Sequence, residues 1–144
     1  MEKIKFNLGL KEYEIEDEKG NVRGIISFNP SDYGLLTRAN DLIATVEERL
    51  EKLYNMNEED LNEKDISDFI KQSDIEIKKG INYLFDDENT SRIVFGNQLV
   101  FTTVRGETLV ERFINIFMPI IKKEIEKEQK KSQEKIKKYT ELVK

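Results

Sequence analysis

Between Leu35 and Tyr54 the apolar residues Leu35, Leu36, Ala39, Leu42, Ile43, Val46, Leu50, Leu53 and Tyr54 return every three or four positions. That spacing gathers them on one face of an amphipathic helix, and such a face must be buried against something. Asn29-Pro30-Ser31-Asp32 reads as the start of this helix, with Asn29 as N-cap, Pro30 at the first helical position and Asp32 in the first turn. The helix is expected to run to about Tyr54, with the acidic segment Asn55 to Lys64 as a connection or frayed end.

Two further stripes repeat the pattern. Ile66, Phe69, Ile70, Ile77, Ile81, Leu84 and Phe85 form the second, with Asp65 as the expected cap, Ser73 or Asp74 interrupting the face and Gly80 weakening it. Leu109, Val110, Phe113, Ile116, Phe117, Ile120, Ile121 and Ile125 form the third, on a helix expected from near Glu107 to the end of the chain and kinked at Pro119. The stripe Phe113, Ile116, Phe117, Ile120 is read most simply as core.

Upstream the period changes from helical to two. Tyr13 and Ile15 alternate with Glu12, Glu14 and Glu16, and Val22, Ile26 and Phe28 follow the polar connection Asp17-Glu18-Lys19-Gly20-Asn21. Alternation on both sides of a glycine-containing connection predicts a β-hairpin, and Ile4 and Phe6 would add a further strand. After the polar loop Asp86 to Ser91, the runs Arg92 to Gly96 and Leu99 to Val104 fit either strands or packed loop. The fold class is therefore α+β, mostly helical: an N-terminal β-hairpin, then a three-helix arrangement with a long C-terminal helix. With 144 residues, one core is expected, over residues 1–121, and residues 122–144 form a projecting charged helical tail.

The charge supports that division. Residues 122–144 hold nine Lys and five Glu, a balance of +4, so a net charge of -5 leaves -9 for residues 1–121. Beyond Ile125 only Ile136, Tyr139, Leu142 and Val143 are apolar, which is too few for a buried stripe.

Composition argues against most chemistry. The chain has no Cys and no His, which removes thiolate chemistry, the usual metal ligands and the usual general base near neutral pH. Asp86-Asp87-Glu88 fails the spacing of a calcium loop, and Glu16-Asp17-Glu18 and Glu58-Glu59-Asp60 read as solvated carboxylates. No glycine-rich phosphate loop is present, so no catalytic residue, metal or cofactor is expected. No apolar run is long enough to cross a membrane and residues 1–6 lack the pattern of a signal peptide, which points to the cytoplasm. The lysine-rich tail offers charge to nucleic acid, but its glutamates and single aromatic residue favour a solvated helix face instead.

The segments Ile81-Asn82-Tyr83-Leu84-Phe85 and Ser91-Arg92-Ile93-Val94-Phe95-Gly96, with the polar loop between them, resemble the tail assembly chaperones of long-tailed phages and prophages of Gram-positive bacteria. The order of elements agrees over nearly the whole chain. One position departs from the pattern: Asp86 stands where the family pattern leads one to expect glycine. The resemblance implies a non-enzymatic chaperone in the bacterial host cytoplasm that binds the phage tape measure protein and helps recruit the tail tube protein. The residues expected to bind protein are Phe85, Phe95, Gly96, Ile120, Ile121, Ile125, Ile136 and Tyr139, which would also serve self-association. A structural tail completion or connector protein and a nucleic-acid-associated regulator are the alternatives.

Overall fold

The structure, a computed structural model, describes residues 1–58 and 61–143, apart from the side chains of Asn57, Glu58, Tyr139 and Val143. Strands β1 (Lys11–Glu16) and β2 (Val22–Phe28) pair antiparallel, from Lys11 opposite Phe28 to Ile15 opposite Gly24, with an irregularity before Glu16 that leaves Arg23 as the extra residue. Their connection is built by Asp17, whose carboxylate accepts the N–H groups of Lys19 and Asn21 while Gly20 supplies a φ of 83°. The further strand expected from Ile4 and Phe6 does not form. Residues 1–10 carry no regular structure, and both side chains stand in solvent.

Helix α1 spans Tyr33–Glu58 and so begins later than Asn29-Pro30 suggests. Asn29 instead closes a turn by accepting the N–H of Ser31, Pro30 is buried, and Asp32 accepts the N–H of Gly34, which makes Asp32 the effective cap. Helix α2 spans Glu63–Phe85; its cap is Asn62, which accepts from the Asp65 N–H, rather than Asp65 itself. Of the connection expected over residues 55–64, residues 55–58 are helical and 59–60 lie outside the described residues.

The two helices pack antiparallel, as the pairs Leu42 with Gly80 and Arg49 with Glu76 show. A Cβ on Gly80 would sit 3.1 Å from the Leu42 side chain, so this glycine weakens α2 locally but admits α1 closely.

The segment from Arg92, read as strand or packed loop, instead belongs to a short helix, α3 (Thr90–Phe95), and β3 (Thr103–Val104) and β4 (Glu107–Thr108) form a small antiparallel ladder after it. Helix α4 spans Leu109–Val143 and is continuous through Pro119. Its start is a capping box: the Thr108 hydroxyl accepts the Glu111 N–H at 3.2 Å, and the Glu111 carboxylate accepts the hydroxyl of Thr108 at 2.8 Å. The architecture is thus α+β and mostly helical, an N-terminal hairpin followed by three long helices.

The core is organised around aromatic rings. Phe85 meets Phe28, Phe113 and Phe117 edge to face at 6.3 Å each, and Phe113 stacks on Phe117 at 4.7 Å. Such offset and edge contacts add about 0.5–1.5 kcal/mol per pair to the area buried. Gly24 sets how close α3 comes to the hairpin, since a Cβ there would lie 2.8 Å from Ile93.

Candidate protein-binding surface

Phe85 and Phe95 are 5% and 4% exposed, and both join the aromatic core rather than the surface. Gly96 ends α3 with a φ of +60°, and a Cβ there would lie 2.8 Å from the Arg23 guanidinium. It shapes a turn against the hairpin. Ile121 is buried and Ile120 half-buried, so these two mainly hold α4 to the domain.

Ile125 and Ile136 belong to a different setting. They line one groove with Tyr33 and Leu36 from the start of α1, bordered by Glu128 and Gln129. Tyr33 is 97% exposed, Ile136 65% and Leu36 41%, so the groove presents bare apolar surface on two elements far apart in sequence. Tyr139 lies on α4, but its side chain lies outside the described ones.

Tyr33 and Leu36 are the surface residues that the sequence reading did not single out. A signal was present: Leu35 and Leu36 are adjacent and therefore stand about 100° apart on a helix. Leu35 takes the core, at 1% exposed, and Leu36 faces out. Tyr54 in the same stripe and Ile116 in α4, both expected in the core, are likewise exposed. Each sits at the margin of its stripe, where a small rotation of the helix decides which way the side chain faces.

Electrostatics ties the root of α4 to the hairpin. Glu124, buried, receives a hydrogen bond from the Lys11 ammonium at 2.7 Å and lies 3.5 Å from Lys127. The Lys11 hydrogen bond holds the Glu124 carboxyl below its ordinary pKa despite the opposing effect of burial, and Glu124 in turn raises Lys11. From Glu126 onward, no described side chain is buried.

The acidic segment after α2 forms a turn closed by side chain to backbone hydrogen bonds. Asp86 terminates α2 in the left-handed region, with φ 53° and ψ 41°. Asp87 accepts the Asn89 N–H, and the Asn82 side chain accepts that of Ser91 at 2.8 Å, so the polar loop is a tight turn. The other interior carboxylate, Asp74, accepts the buried Val100 N–H at 2.6 Å and pairs with Lys78, which also donates to the Gln98 carbonyl. It fastens the 97–102 loop to α2.

Among the described residues no group of three or more carboxylates forms a metal site, and no helix is long and apolar enough to cross a membrane. Compared with protein-family models, with curated proteins and with solved structures, the chain matches none.

Proposed function

We propose that the chain is a non-enzymatic tail assembly chaperone of the bacterial host cytoplasm, which binds a phage tape measure protein and assists assembly of the tail tube. The observation that carries the client-binding part is the groove of Tyr33, Leu36, Ile125 and Ile136. An amphipathic helix laid in such a groove would bury anchors spaced one or two turns apart, and a tape measure protein is a long helical client. The bordering Glu128, with Lys131 beside it at 3.5 Å, offers charge at the rim for register.

The conformation of Asp86 supports the resemblance. The family pattern expects glycine there, and the backbone is left-handed, which is where glycine is favoured. The departure in residue type therefore leaves the turn intact.

The test is co-expression with the proteins encoded beside this chain, affinity capture, and identification of what is retained. The reading expects a tape measure protein to be captured by the native chain and lost with Leu36→Glu or Ile136→Glu, both exposed positions. Capture of no client, or capture indifferent to both variants, would overturn it. Detection of the chain in purified virions would favour a connector protein, and salt-sensitive capture of nucleic acid alone would favour the regulator.

A further inference from the structure

Residues 1–10 are the least explained part of the fold. Ile4 and Phe6 are 93% and 83% exposed, alternate with Lys3 and Lys5, and contribute to no strand. An alternating apolar and basic segment left in water is an unpaired β-strand in all but partner.

Its complement lies on the same chain. β1 is an edge strand, because among the described residues the sheet contains only β1 and β2, so the other side of β1 offers backbone groups that no described strand pairs. Tyr13 and Ile15 turn toward the core, and Glu12, Glu14 and Glu16 turn to solvent. Written antiparallel to β1, the arm matches best in one register. Lys3 falls opposite Glu16 and Lys5 opposite Glu14 on the outer face, while Ile4 falls opposite Ile15 and Phe6 opposite Tyr13 on the inner face. A slip by one residue would set lysine against isoleucine and tyrosine, and a slip by two would set Phe6 against Lys11 or Ile4 against Asp17, so this register pairs best.

Within the single chain this pairing is not made. Gly9, at φ +70°, donates its N–H to the Asn7 side chain at 2.8 Å and passes beside Asn29, so the backbone runs on past the end of β2 instead of doubling back along β1. We propose that residues 3–7 add as a strand to the free β1 edge of a second copy of this chain, with the second arm reciprocating, to give a two-fold dimer. The contact is isologous: each copy gives an arm and receives one, and each exchange joins two lysines to two glutamates over two apolar pairs. It does not depend on the chaperone reading, and its surface is separate from the groove.

The test is sedimentation velocity on the full chain and on two variants with substitutions at exposed positions only, Lys3→Glu/Lys5→Glu and Glu14→Lys/Glu16→Lys. The native chain is expected to sediment as a dimer. Each variant alone sets like charges opposite one another and is expected to dimerise at least about tenfold more weakly. Mixed in equal amounts, the two restore both exchanges, so a heterodimer is expected. Circular dichroism matching the native chain keeps loss of folding distinct from loss of pairing. A native chain that stays monomeric, variants that dimerise as the native chain does, or a mixture that stays monomeric would overturn the proposal. The monomeric outcomes would assign the same register to a hairpin closed within one chain at Gly9-Leu10.

Discussion

The two halves of α4 share one helix and differ in what holds it. From Leu109 to Ile125 the helix lends Val110, Phe113, Met118 and Ile121 to the core and is clamped to β1 through Glu124 and Lys11. From Glu126 onward no described side chain is buried, and the helix carries exposed pairs such as Lys131 with Glu128. An exposed pair of that kind contributes about 0.3–0.5 kcal/mol, whereas one buried phenylalanine contributes about 1.5–3 kcal/mol. The first half is therefore stable by packing, and the second is available for a partner at small cost to the fold.

The sharpest way to break the comparison is at the ring cluster. Phe113→Ala is expected to destabilise the domain by about 3–5 kcal/mol, read by chemical denaturation, since Phe113 is buried against Phe85, Phe95 and Phe117. An effect as small as that of an exposed position would remove the packing argument.

Next is Asp74→Ala, expected to cost about 2–3 kcal/mol, because the Val100 N–H is left buried without its acceptor and Lys78 loses its carboxylate. Asp86→Gly works in the opposite direction. It relieves a left-handed φ of 53° and is expected to stabilise by about 1 kcal/mol, detectable as a raised melting temperature. Ile136→Glu, in the free half of α4, is expected to move stability by less than about 0.5 kcal/mol.

The smallest effect is in pH. Glu124 has a lowered pKa, so its contribution is fully present above the ordinary value of 4.5 and is lost as pH falls through the lowered value. Asp32, lowered chiefly by the Arg38 hydrogen bond, and Asp17, lowered chiefly by the Asn21 backbone N–H, act in the same direction from an ordinary 3.8. Lys11 has a raised pKa, so its share is present below 10.5 and is lost as pH rises through the raised value. Thermal melts should show a plateau between these limits, and Lys11→Met should lower the plateau and flatten its fall at both ends.

Periodicity made the long helices and the hairpin legible, because each buries a face whose spacing is written in the chain. Local competition was less so. Asn29 and Asp32 are both residue types that cap helices, and Asp32 does so here while the Asn29 side chain closes the preceding turn. Arg92 to Phe95 is β-prone by composition but helical in place, because Asn82 and Asp87 fix the turn before it. Asp74 interrupts an apolar stripe, and its use became visible only once the 97–102 loop was laid over it. The groove joins α1 to α4 across most of the chain, a juxtaposition that no local spacing encodes.

The most direct test of the central claim is hydrogen exchange along α4, on the chain alone and with a tape measure protein. In the free chain, amides around Val110 to Ile121 should be protected to nearly the global stability, while those beyond Gln129 should exchange close to the unprotected rate. With the client bound, protection should appear from Ile125 to Ile136 and around Tyr33 to Leu36. Equal protection along the whole helix in the free chain, or no change at these two places on adding the client, would contradict the account.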